Sequence, residues 1–282
     1  MNMDYVTPAE LMAESLNAAK RKAGLGIHDM LLRGMLAGAF LGFATSMVFI
    51  VQSQGVPPIV GAILFPVGFV ILVLLGLELA TGNFAILPVG VAAGQVTFGR
   101  LLRNWFWVYL GNLAGSVGYG LLFYLALTNF GTNNGGPVGD LIRAAAQKKT
   151  VAYMALGGAG WGTAFVKAML CNWMVTIGAL LAMVSRSAIG KIVAMWLPIL
   201  TFFAQGFEHS IVNMFVIPTG MMLQAPVSVS NWWLWNQIPV TIGNIFSGAV
   251  FTGLALYSTF RVRPTPQAAP ARTPLEEAAA EA

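Results

Sequence analysis

The chain has 282 residues, 57% of them hydrophobic and only 9% charged, against roughly 25% charged in a soluble domain. That deficit excludes a water-soluble globule. The net charge of +5 does not point to nucleic acid, because the basic residues sit at the ends of apolar runs and not on one polar face.

In chain order, residues 1–28 are polar and are expected to form a cytoplasmic amphipathic helix. In TPAELMAESLNAAKRK, Thr7 can cap, Pro8 takes the first helical position and Glu10 completes a capping box. No apolar core with a cleavage site marks a signal peptide. Six apolar runs follow, near 31–52, 59–80, 105–127, 151–184, 192–222 and 238–260. Each approaches or exceeds the roughly 20 residues that cross 30 Å of hydrocarbon, which makes 29–263 a six-span transmembrane domain. Cys171 is alone and reads as a small packed side chain. Residues 264–282, rich in Pro and Ala, cannot bury a core and are expected to be a disordered cytoplasmic tail.

Six spans put Lys20, Arg21, Lys22, Arg33, Arg100, Arg103, Arg186, Lys191, Arg261, Arg263 and Arg272 on one side. The other side has only Arg143, Lys148 and Lys149, in one loop. Short basic loops face the cytoplasm, so both termini are expected there.

An internal repeat then fixes the expected architecture. Glu78, Asn83, Pro88 and Gly90 follow the pattern E-x4-N-x4-P-x-G, and Glu208, Asn213, Pro218 and Gly220 follow it again. Gly111 and Asn112 are echoed by Gly243 and Asn244, and Arg33-GML by Lys167-AML. Three spans match three, and an odd number inverts the second copy, as in transporters whose permeation site lies where interrupted helices meet. The interruptions are expected between Gly82 and Pro88 in the second span and between Gly206 and Pro218 in the fifth. Backbone freed there must be buried in protein or line a cavity.

Ionisable residues at membrane depth are rare and usually functional. The repeat-symmetric Glu78 and Glu208 read as structural, each satisfying freed N–H groups and amides at a break. His209 is different, because its repeat mate is Leu79. A lone imidazole donates a hydrogen bond when neutral and a proton when charged, which suits a small weak acid. Lys167 matches Arg33 and belongs at the external entrance, as a snorkelling anchor or an anion attractor. Asn172 could reach the Glu208 region and Asn244 comes from the sixth span, although buried amides more often lock helices together.

No metal cluster and no cofactor motif is found, His28 being the only other histidine. A hydrolase using Ser210 with His209 is disfavoured, since adjacent helical residues point about 100° apart and no Gly-x-Ser-x-Gly elbow is present. A purely structural membrane protein would need symmetric breaks with no aqueous path between them.

GFEHSIVNMF, IPVTIGN, LCNW and the E-x4-N break together resemble the formate/nitrite transporter family, over about residues 8–260. The resemblance implies an all-α membrane fold of six helices in an aquaporin-like inverted 3+3 repeat, with the second and fifth broken. It implies a homopentamer in the bacterial inner membrane, with a pore in each protomer and lipid around it, passing formate, nitrite or hydrosulfide. By the same resemblance His209 is the central histidine, Thr81 its hydrogen-bond partner, and Glu208, Asn172 and Asn244 the surrounding network. Phe202 is an apolar constriction with Phe65 as its partner. Phe69 and Ala80 stand where the formate channels tend to have Leu and Phe, which implies a changed inner constriction. The family's external lysine, about sixteen residues before Asn172, is missing from YMALGGAGWG, leaving Lys149 and Lys167 as substitutes. The expected function is a channel for small monovalent anions of weak acids, formate first, moved with a proton through His209. The alternatives are nitrite, hydrosulfide or a neutral solute such as ammonia.

Overall fold

The computed structural model describes residues 4–260; the tail expected at 264–282 lies outside the described residues. The described chain is all-helical apart from one isolated bridge between Tyr5 and Ser185. Helix α1 (Pro8–Ala23) starts on the expected capping box, with the Glu10 N–H donating to the Thr7 hydroxyl and the Thr7 N–H to the Glu10 carboxylate. Lys20, Arg21 and Lys22 fill its last turn, at the negative end of the helix dipole.

Four long helices are apolar enough to cross a membrane: α2 (Ile27–Gln52), and after it Phe98–Leu127, Gly157–Leu181 and Val229–Phe260. The other apolar runs are discontinuous. The second run is divided into α3 (Pro58–Leu64), α4 (Pro66–Leu74) and α5 (Ala80–Ala92), followed by the long α6 (Phe98–Leu127). Helices α7 (Gly136–Lys149) and α8 (Val151–Ala155) lead into the long α9 (Gly157–Leu181). The fifth run is divided into α10 (Ala188–Ala204) and α11 (Ser210–Met222). The last rod comprises α12 (Val229–Trp232), α13 (Ile238–Phe246) and α14 (Ala255–Phe260), joined by π-helical turns at Trp233–Gln237 and Ser247–Leu254.

The breaks fall at 75–79, ahead of the expected window from Gly82 to Pro88, and at 205–209, at the start of the expected window from Gly206 to Pro218. Pro88 and Pro218 sit inside α5 and α11, since the fixed φ of proline is itself helical and only one N–H is lost. What ends α4 and α10 is a glycine in the left-handed region, Gly76 at φ 65° and Gly206 at φ 66°. The following turn is the same in both copies. The Leu77 N–H donates to the Leu72 carbonyl at 2.9 Å and the Phe207 N–H to the Phe202 carbonyl at 3.3 Å.

The repeat also reaches further back than the spans. A Cβ placed on Gly90 of α5 would lie 2.8 Å from the Ala19 Cβ of α1, and one on Gly220 of α11 would lie 2.5 Å from the Ala146 Cβ of α7. Thus α1 seats on α5 as α7 seats on α11, each through a glycine that admits an alanine. Helix α8 has no counterpart. From Lys22 to Lys149 the offset is 127 residues and from Gly34 to Ala168 it is 134, so seven residues are extra where α8 stands. The apolar core runs through α2, α4, α10 and α11 and includes Phe65, Leu72, Phe202 and the fully buried Cys171.

Candidate functional site

Each break is clasped by the same four-residue circuit. In the first copy, Lys22 Nζ lies 2.9 Å from Glu78 Oε1, and the Asn83 amide donates to Glu78 Oε2 and to Asn104 Oδ1, each at 2.8 Å. The Asn104 amide closes the loop on the Lys22 carbonyl at 2.9 Å. In the second, Lys149 Nζ lies 2.8 Å from Glu208 Oε2, and the Asn213 amide donates to Glu208 Oε2 and Asn236 Oδ1, each at 2.8 Å. The Asn236 amide donates to the Lys149 carbonyl at 2.9 Å. Both carboxylates are nearly fully buried. Deleting one partner of such a pair strands a charge, at about 3–5 kcal/mol.

The freed backbone at each break is satisfied by a different pair of amides. Asn112 Oδ1 accepts from the Ala80 N–H at 2.9 Å, and Asn244 Oδ1 from the Ser210 N–H at 2.9 Å. Their amide groups donate to the Glu78 and Glu208 carbonyls at 2.9 and 3.1 Å. Two asparagines thus tie α6 and α13 to the starts of α5 and α11. The expectation that Glu78 and Glu208 themselves hold freed N–H groups is corrected: they take lysine and amide donors, and Asn112 and Asn244 take the backbone.

Two cavities flank the breaks. A proximal one of about 330 Å³, on the side of α1, is lined by Lys22, Arg33, Phe69, Leu72, Glu78 and Leu79 among others. A distal one of about 390 Å³ is lined by Thr45, Lys149, Tyr153, Lys167, Phe202, Glu208 and His209 among others. No residue lines both. Helix α2 contributes Arg33 to the first and Gln52 to the second, positions roughly 28 Å apart along a helix rising 1.5 Å per residue. Most lining positions of one cavity are repeat mates of positions lining the other, so the two are images of one site. The departures are therefore informative: His209 replaces Leu79, and Phe202 replaces Leu72.

His209 lines the distal cavity and touches α5, which also walls the proximal one. It is buried, at 3% exposure, and forms the N-cap of α11, with its Nδ1 accepting from the Val212 N–H at 3.2 Å. An acceptor nitrogen carries no proton, so this geometry describes the neutral ring with its hydrogen on Nε2. Nε2 lies 3.0 Å from the Thr81 hydroxyl, and Thr81 is bracketed in sequence by the proximal wall residues Leu79 and Gly82. The Phe202 ring stacks beside the imidazole at 5.8 Å between centroids and meets Phe65 edge-on, also at 5.8 Å. Phe69 stands apart from this pair, in the proximal wall.

The two candidate lysines take different places. Lys149 is the partner of Glu208, while Lys167 Nζ sits 5.9 Å above the Tyr153 ring. The Tyr153 hydroxyl donates to Glu208 Oε1 at 2.9 Å, so α8 adds to the distal carboxylate a donor that the proximal one lacks. Asn172 reaches the Glu208 region through Asn244 and does not bond the Glu208 carboxylate itself. Its amide donates to the Thr81 carbonyl at 3.1 Å and the Asn244 carbonyl at 2.7 Å, holding the Thr81 side of the His209 contact. Ser210 Oγ has no hydrogen-bond partner among the described residues and both His209 nitrogens are engaged elsewhere, so no nucleophile–base pair exists there.

Sequence reasoning missed Lys22, which its place among terminal basic residues hid, together with Asn104, Asn236 and Tyr153. Extending the repeat upstream at the Arg33–Lys167 offset pairs Lys22 with Leu156, and only allowing for the seven-residue insertion matches it to Lys149. Nothing in the pattern marked Tyr153, because the first copy has no equivalent.

Comparison with known proteins places this architecture. Residues 9–258 match the formate/nitrite transporter family. A "Probable formate transporter" of Methanothermobacter thermautotrophicus is 33% identical over 92% of this chain and 99% of its own. "Formate channel FocA" of Escherichia coli K12 is 31% identical over 90% and 94%. Among solved structures, an "FNT family ion channel" superposes with a TM-score of 0.78 at 27% identity, covering 91% of this chain and 99% of that one. A "Pentameric formate channel with formate bound" superposes at 0.66 with 26% identity, covering 83% and 97%. The long apolar helices, the twice-clasped breaks and a match that runs over most of the chain lead to one conclusion: this is a membrane protein that belongs to the formate/nitrite transporter family.

Proposed function

We propose that the chain is a channel for small monovalent anions of weak acids, with formate as its principal solute, and that the anion crosses together with a proton at His209. The observation that carries this reading is the Thr81–His209 contact at 3.0 Å, which links the distal cavity's single imidazole to the helix that walls the proximal cavity. A bare anion crosses an apolar constriction such as Phe65 and Phe202 at a heavy desolvation cost, whereas a neutral acid does not. As water is stripped away, the charged form of a carboxylate is disfavoured and its basicity rises.

Lys149 and Lys22 are neutralised by Glu208 and Glu78, so the positive character of each mouth comes from Lys167 with Lys148 on the distal side and from Arg21 with Arg33 on the proximal side. The N-termini of α5 and α11 add partial positive charge at the junction. His209 Nε2–H turns from Thr81 to the anion and donates a hydrogen bond. A neutral ring has no further proton to give, so transfer requires the imidazolium. Protonation at Nδ1 displaces the Val212 N–H, and the proton is held only while that cap is open. Asn172, Asn244 and Glu208 keep Thr81 and the start of α11 in register, and Phe69 narrows the proximal approach. The protein works as a homopentamer in a bacterial plasma membrane, with both termini on the cytoplasmic side, a reading supported by the distribution of Lys and Arg and by the pentameric neighbour.

The test is flux into proteoliposomes of formate, nitrite, hydrosulfide and lactate at two pH values. Formate is expected to move fastest and to accelerate at the lower pH. Nitrite or hydrosulfide moving while formate does not would reassign the solute, and flux of none would end the reading.

A further inference from the structure

Three cations line each cavity, and they occupy the same three positions of the repeat. The proximal set is Arg21, Lys22 and Arg33, and the distal set is Lys148, Lys149 and Lys167. In both, the middle lysine is engaged by a buried carboxylate, and among the described residues neither flanking cation has a close carboxylate partner. The Arg21 side chain has no ion pair among the described residues. Arg33 has only a 3.9 Å contact with Asp29 one turn away, both partly exposed, an arrangement worth little.

The flanking pair differs in chemistry between the two mouths. It is two guanidinium groups beside α1 and two ammonium groups on the far side. Guanidinium offers parallel N–H donors that match the edge of an oxyanion, whereas ammonium is a point charge. The proximal cavity, at about 330 Å³, is within the roughly 300–1,000 Å³ of small-molecule pockets and far exceeds a one-carbon acid. We propose that this cavity binds a doubly charged oxyanion of the phosphate class between Arg21 and Arg33, and that the bound dianion slows permeation from the α1 face only. One proton neutralises a monovalent acid but leaves a dianion charged, so the dianion is held at the mouth and does not cross the apolar constriction.

Binding and flux test this separately. Phosphate is titrated calorimetrically at pH 8 into the full chain in detergent, for the wild type and the charge-conserving R21K/R33K variant. The variant is expected to bind on the order of tenfold more weakly, the loss of a charge-assisted hydrogen bond. Equal binding would overturn the site, whatever solute the pore carries. Formate currents are then recorded in planar bilayers of phosphatidylcholine alone, with phosphate in either chamber. Phosphate on the α1 face should raise the half-saturating formate concentration several-fold in the wild type and not in R21K/R33K. Equal inhibition from both faces would reduce the effect to charge screening and overturn the proposal. So would the same inhibition produced by adding phosphatidylglycerol without phosphate, which would assign the guanidinium pair to lipid headgroups. The inhibition arm rests on the proposed formate function; absence of current in formate alone would defeat that function and leave the titration standing.

Discussion

The proximal and distal breaks are built from one plan, and comparing them separates what holds the fold from what serves the solute. Lys, Glu and two Asn recur with nearly equal distances on both sides, so that circuit is structural wherever else it acts. Among the features that occur once are His209 opposite Leu79, Phe202 opposite Leu72 and the inserted α8 with Tyr153, all on the distal side, and Thr81 opposite Ile211 at the start of α5. A symmetric scaffold therefore carries an asymmetric junction, and the asymmetry is where specific chemistry has to be sought.

The strongest way to break the comparison is to remove each lysine. Lys22→Met strands Glu78 with amide donors alone and should cost about 3–5 kcal/mol, read as lost thermal stability of the purified protein in detergent. Lys149→Met should cost less, because Tyr153 and Asn236 still donate to Glu208; an equal loss would deny α8 its compensating role. The asparagines sharpen the symmetric half of the claim. Asn112→Ala and Asn244→Ala should destabilise alike, each by at least the roughly 1–3 kcal/mol of one unsatisfied buried group. Adding Tyr153→Phe to Lys149→Met should cost a further ~1.5 kcal/mol, the lower end for a hydrogen bond to a charge, and bring the distal break towards the instability of Lys22→Met.

The smallest effect concerns the exposed N-terminal clasp. The Ser185 hydroxyl first, then the Ser187 and Arg186 N–H groups, donate to Asp4 and hold its carboxyl below the ordinary 3.8. A depressed carboxylate stabilises above its unfolded value and loses that contribution as pH falls through the folded one. Protection of the Arg186 and Ser187 amides, taken relative to their intrinsic exchange rates, should therefore fall only below about pH 4, and Asp4→Asn should show the lower protection already at pH 6.

Much of this was legible because an internal repeat writes its plan twice. Glu78 and Glu208, Asn112 and Asn244, and the unmatched His209 could be read from spacing alone. The break in the fifth span opened at Gly206, the start of its expected window, but the one in the second span could not be placed, because proline is a conspicuous residue that a helix can absorb, whereas the left-handed turn at Gly76 is one glycine among 32. Lys22 was obscured by its basic neighbours, which serve topology equally well. The place of Asn172 depended on the rotation of α9, which sequence spacing does not specify.

The most direct test of the central claim is the pH profile of formate flux in proteoliposomes for the wild type and His209→Asn. Asparagine can still cap α11 but cannot take up a proton. The account predicts flux that rises with acidity in the wild type and a profile without that rise in the variant. The same rise in both proteins would contradict it.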